Sequence, residues 1–193
     1  MRFITFIAVI SVCCSMMIAC GSPAPPSPAG KGSDTSAFFS LEGYIKSQIE
    51  YVDLRNFSIT RTSVVNGKKD SVAIDKDGFK QWAQVFLDRC FTPAQKPLYK
   101  ETVFEDLSTG SYTLNYSPND PDKVTVKNAD VLLNRETNMV KRIFIKSFYN
   151  NGDTTIEEQC SWKADKSFQV NRVKTIHGQT ITELNYINWN ENK

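Results

Sequence analysis

His177 is the only histidine in a chain of 193 residues, so any mechanism that relies on imidazole as nucleophile or general base has to use it. It is followed by Gly178 between two strand-like runs, the kind of dipeptide that makes a two-residue turn. A solvated turn does not supply the neighbours that orient an imidazole, and His177 therefore reads as a surface residue. Carboxylates are paired at Glu105-Asp106 and Glu157-Glu158. Glycoside hydrolysis needs two carboxyls about 5 to 10 Å apart converging on one pocket, whereas neighbours along a strand point to opposite faces. Glu158 shares a strand face with Ile156, Cys160 and Trp162; a partly solvated position is expected, with a buried cationic partner as the alternative. Asp75, Asp77 and Gly78 begin like an ion loop, but Phe79 stands where a calcium loop needs another oxygen. Asp75 is better explained as a helix cap. Asn119, Asp120 and Asp122 surround Pro121 in a turn, where such residues serve the backbone. Zinc would need a cluster of Cys and His that the sequence does not offer. No Gly-rich phosphate loop and no nucleophile elbow occurs. The expectation is no catalytic residue, no metal site and no cofactor. Tyr112, Leu114 and Tyr116 share a strand face that could take sugars or apolar ligands, although core packing explains most such aromatics.

The elements that would position these residues fall into two sets. Residues 36–54 place Phe38, Leu41, Ile45, Ile49 and Val52 at helical spacing, with Glu42 and Lys46 as a supporting i,i+4 pair. A second helix is capped by Asp75, stapled by Ile74 and Phe79, and continues through FKQWAQVFLDRC, with Phe79, Trp82, Ala83, Phe86 and Cys90 on one face. Between the helices, Asn66-Gly67 marks a hairpin that sets Ile59 opposite Ile74 and Ser63 opposite Asp70. Strand-like runs follow at 98–105, 111–117, 123–134, 139–149, 154–163, 167–175 and 180–189, separated by short turns. Taking Asn151-Gly152 as a two-residue turn pairs Lys146 with Glu157 and Ile143 with Cys160. Short consecutive connections put neighbours in sequence side by side. The fold expected is α+β: two helices packed on a large antiparallel meander sheet, curled like a half-barrel.

The N-terminus carries a different kind of chemistry. Arg2 precedes an uncharged apolar run from Phe3 to Ala19, a little short for a span of about 20 residues. A charged start, an apolar middle and a small residue at the cut describe a secretory signal. Met17-Ile18-Ala19-Cys20 resembles the lipobox of bacterial lipoproteins, with Met17 where that family prefers Leu. The resemblance implies cleavage before Cys20 and acylation of its thiol and new amino group. Residues 1–19 are then the signal peptide, residues 20–35 a lipidated cysteine with a Pro/Gly/Ser tether, and residues 36–193 a single domain. The lipobox, the tether and the aromatic-rich sheet together resemble small lipoproteins of Bacteroidota-type bacteria. Asp70-Ser71-Val72 and Asp153-Thr154-Thr155 also resemble the short O-glycosylation motif of that group. No acidic residue follows Cys20 directly; by resemblance to lipoproteins of the enterobacterial type, where an Asp there retains the protein in the inner membrane, this points to the outer membrane.

Lys and Arg number 23 against 21 Asp and Glu, with the signs interspersed. No basic stripe is present, so nucleic acid is not an expected partner. Beyond Cys20, only Cys90 and Cys160 remain in a compartment that permits a disulfide. Both fall on apolar faces, and buried free thiols are expected. The function expected is a membrane-tethered domain with a non-catalytic binding or structural role toward an envelope protein. The alternatives are a carrier of an apolar ligand or lipid in a half-barrel cavity, and an enzyme of unknown type.

Overall fold

The computed structural model describes residues 38–190; Cys20, the signal, the tether and the last three residues lie outside the described residues. The elements are α1 (Leu41–Asp53), β1 (Ile59–Val65), β2 (Lys68–Ile74), α2 (Lys76–Leu87), β3 (Tyr99–Asp106), β4 (Ser111–Pro118), β5 (Val126–Asn134), β6 (Val140–Asn151), β7 (Thr154–Lys163), β8 (Ser167–Ile176) and β9 (Gln179–Asn188). All nine strands join one antiparallel sheet in the order β2-β1-β9-β8-β7-β6-β5-β4-β3. The class is α+β. Seven strands form the expected meander, and the β1–β2 hairpin extends it beyond β9. The sheet is open, with β2 and β3 as its edges.

Both helices start on side-chain caps. The Ser40 hydroxyl accepts from the Gly43 N–H at 3.2 Å, and the Asp75 carboxylate accepts from the Gly78 N–H at 2.8 Å. These bonds satisfy amides that have no partner within a helix. Leu41, Ile45, Gln48 and Val52 are the buried positions of α1, and Phe79, Ala83 and Phe86 those of α2. Trp82 is only half-buried, with the Arg61 guanidinium 5.6 Å from its ring. Helix α2 ends at Leu87, short of Cys90, where the backbone tightens: the Arg89 and Cys90 amides donate to the Phe86 and Leu87 carbonyls at 3.0 and 3.1 Å, and the Cys90 thiol to the Phe86 carbonyl at 3.3 Å.

Strand periodicity sorts the sheet into an inner face, against the helices, and an outer one. The paired residues Ile187, Phe168, Trp162, Ile143, Val131, Leu114 and Val103 make one row across the inner face. Trp162 and Phe168 stack at 4.7 Å between ring centres, and Phe86 meets Trp162 edge-on at 5.0 Å. Each such pair adds about 0.5–1.5 kcal/mol beyond the area it buries. Gln48 fixes α1 over this cluster: its carbonyl oxygen accepts from the Trp162 indole and the Asp165 amide, and its amide donates to the Asp165 carboxylate.

The first hairpin has the expected register, Ile59 opposite Ile74, with Asn66 and Gly67 both at positive φ. The β6–β7 hairpin departs from expectation by two residues. Asn151 pairs with Thr154, so Gly152 and Asp153 form the turn, Lys146 faces Gln159 and Ile145 faces Cys160. Gly152 alone takes positive φ, 62°, which suits glycine at the first turn position; Asn151 remains in the strand. A slip of two preserves the faces, so the inner and outer sets are unchanged.

Candidate binding surface

Most residues with chemical potential are spread apart. His177 sits at the β8–β9 turn with a side chain 73% exposed, and its Nδ1 is 4.0 Å from the exposed Asp153 carboxylate. Cys90 and Cys160 are both free thiols. Burial first, then the charge of Glu42, pushes the Cys90 thiol up to about 12; burial, then Glu158, raises that of Cys160 as well. Asp75 serves as a helix cap, and Asp120 as a turn residue accepting from the Asp122 amide. Ser71 is exposed on edge strand β2 and Thr154 half-buried at the start of β7. Among the described residues, no three of His, Cys, Asp and Glu converge as ligands.

Glu158 corrects the sequence reading. It is 1% exposed, and its two oxygens accept from Arg89 Nε at 2.9 Å and Arg172 Nε at 2.6 Å. Arg172 lies directly opposite on β8, whereas Arg89 reaches over from the turn after α2 with its guanidinium 4.5 Å from the Tyr149 ring. A carboxylate at this depth requires such partners, because an unpaired buried charge costs several kcal/mol (about 3–5). The charges continue along the inner face. Arg172 pairs across the ladder with Glu183, whose carboxylate accepts from Lys174 at 2.8 Å and from the Asn185 amide at 2.8 Å. Burial alone would raise the Glu183 carboxyl, but the Lys174 and Asn185 bonds and the Lys174 and Arg172 charges outweigh it and hold it low. Every charge in this chain has an opposite neighbour, which makes it a latch between helix and sheet.

The centre of the space between helices and sheet is packed with side chains. Ile45, Val52, Ala83 and Phe86 from the helices meet Tyr116, Ile143, Trp162 and Val170, each 0% exposed. Tyr116 is thus core, while Tyr112 and Leu114 on the same face are half-buried. A depression of about 430 Å³ lies outside this core, lined by Asp122, Lys123, Lys127, Asn150, Phe148 and Tyr149 among others.

Apolar side chains reach solvent at the β3 edge. Val103 is 58%, Phe104 59% and Leu107 70% exposed. Val103 points to the inner face beside Leu114, and Phe104 to the outer face beside Thr113. Among the described residues, strand β3 pairs with β4 only, so its other side offers amides and carbonyls to an added strand. The opposite edge, β2, opens with Lys68, Lys69 and Asp70, charges that discourage pairing, and exposes Val72 farther along. Val103 and Phe104 lie between charges at Lys100, Glu101, Glu105 and Asp106. The β3–β4 turn is locally fastened. The Ser108 hydroxyl, then that of Thr109, together with their backbone amides, hold the Asp106 carboxyl down to about 2. Arg135 binds Glu105 at 2.9 Å. An edge with open hydrogen-bonding groups and apolar side chains on both faces can accept an added strand.

No known protein family, curated protein or solved structure matches the chain.

Proposed function

We propose that this protein is a lipid-anchored component of the cell envelope, cut before Cys20 and held at the outer membrane by acyl chains, with a non-catalytic binding role. Its partner is an envelope protein that contributes an extended segment to β3. The observation that carries this reading is the exposed Val103-Phe104 stretch on an edge strand, over a packed core. Main-chain bonds would supply affinity and the two exposed apolar side chains specificity. Charges of both signs, Lys100 and Glu101, stand beside the apolar pair, while Glu105 and Asp106 are held by Arg135 and by Ser108 and Thr109. In this reading the sheet curls as a half-barrel around the helices. A carrier of apolar ligands draws less support, because Phe86 and Trp162 occupy the space such a ligand would need.

Two measurements test the parts separately. Replacing Cys20 with Ala should release the protein from membranes or leave it unprocessed, and intact mass of the membrane-extracted protein should show acyl additions on a chain starting at Cys20. Residues 1–19 still attached to the mature protein would contradict the anchor. For the edge, Val103→Lys with Phe104→Lys should abolish a partner complex seen on native separation of gently extracted membranes, with thermal stability unchanged. A complex that survives both charges would contradict strand addition at β3.

A further inference from the structure

Exposed apolar side chains crowd onto one edge of the sheet. Ten large ones are well exposed among the described residues, and four of them lie on β3 or one residue beyond its ends: Leu98, Val103, Phe104 and Leu107. Their spacing is close to symmetric about Val103. Leu98 stands five residues before it and Leu107 four residues after it. A strand edge with this pattern is suited to meeting a copy of itself, because a two-fold axis brings the two ends of the pattern together.

The side chains choose among the registers such a pairing allows. When two identical strands pair antiparallel with their faces aligned, the two-fold axis passes beside one residue, which then faces its own copy. With the axis at Thr102, Val103 would face Glu101 and Phe104 would face Lys100. With the axis at Phe104, Val103 would face Glu105 and Thr102 would face Asp106. Both set an apolar side chain against a charge. With the axis at Val103, Val103 meets its copy on the inner face and Phe104 covers Thr102 on the outer face, while Lys100 falls opposite Asp106. Leu98 then comes alongside the turn that carries Leu107. The one like-charged contact is Glu101 with Glu105, and Arg135, bonded to Glu105 at 2.9 Å, supplies its counter-charge.

We propose that β3 pairs with β3 of a second copy of this chain across a two-fold axis at Val103, joining the two sheets into one. This rests on the strand-addition reading above and names the partner as the chain itself. Main-chain bonds along the seam supply the pairing, and the symmetric apolar residues fix the register. A two-fold contact is closed, so it covers both apolar edges and ends growth there. A seam of eight residues a side is small. Anchoring both copies in one membrane raises their effective concentration and favours the pair.

The test is disulfide scanning of the full chain in intact membranes, with diamide as oxidant and mass spectrometry of the linked peptides. Directly opposite residues of an antiparallel pair have Cα atoms about 4.5 or 5.5 Å apart, within the range of about 4.4–6.8 Å that a disulfide spans. Val103→Cys should therefore give a homodimer linked 103 to 103. Thr102→Cys combined with Phe104→Cys should give one linked 102 to 104. Phe104→Cys alone should lose most of the link, because the offset puts its copy more than about 7 Å away. The unaltered chain is the blank, since burial raises the Cys90 and Cys160 thiols and leaves little thiolate. Native mass spectrometry of the unaltered chain in mild detergent should show a dimer that Val103→Lys splits to monomer. A monomer throughout, or a stronger homodimer link from Phe104→Cys than from Val103→Cys, would overturn the proposal. A complex with a different protein, still lost on Val103→Lys with Phe104→Lys, would overturn self-pairing and leave strand addition standing. No complex of either kind would overturn both.

Discussion

Glu158 shows how far a single residue's environment can be read before its partners are known. Period-two alternation places it on the face of Cys160 and Trp162, and a charge on that face has to be either solvated or paired. Arg172 could have been found from the β7–β8 register. Arg89 could not, since nothing local says that the turn after α2 lands on β7. The arrangement predicts strong non-additivity. Glu158→Leu alone removes the carboxylate that the half-buried Arg89 and Arg172 share and should cost about 3 kcal/mol in urea unfolding. Replacing Arg89, Glu158 and Arg172 together with Met, Leu and Met should cost far less. Equal losses in the single and triple variants would mean that the network is not acting as a unit. His177→Gln, at a turn with a 73% exposed side chain, should stay within about 0.5 kcal/mol.

At the scale of elements, the amphipathic spacing of both helices and the Asp75 cap were legible because they depend on residues a few positions apart. Which aromatic on α2 matters most was not. Trp82 lies on the expected face yet is half-buried under Arg61, while Phe79 and Phe86 meet Trp162 and Phe168. Phe86→Ala should therefore cost about 3–5 kcal/mol, and Trp82→Ala distinctly less; the reverse order in thermal unfolding would contradict this packing. The β6–β7 register was misassigned because Asn-Gly suits more than one turn type, and an appealing Lys146–Glu157 pair fitted the wrong one. At the β3–β4 turn, Asp106 gives a pH signature. Its carboxyl is lowered from the usual 3.8 to about 2, so its contribution to the turn is present above pH 3.8 and is lost as pH falls through about 2. The Ser108 and Thr109 amide signals should titrate in that window, and an apparent midpoint near 3.8 would contradict the capping.

For the whole molecule, the class, the two helices and the seven-strand meander followed from turn chemistry and alternation, since short connections force neighbours together. The place of the β1–β2 hairpin did not, because joining β9 is a contact between the two ends of the domain. That closure leaves β2 and β3 as the edges, of which β3 exposes Val103 and Phe104 side by side. The most direct measurement is in-cell photo-crosslinking from single positions along both edges and at the β8–β9 turn, with mass spectrometry of the adducts. Positions 103 and 104 should yield one discrete adduct mapping to an extended segment of a single envelope protein, with positions 69 and 177 silent. Discrete adducts from position 69 or 177 while 103 and 104 stay silent would contradict β3 as the binding edge.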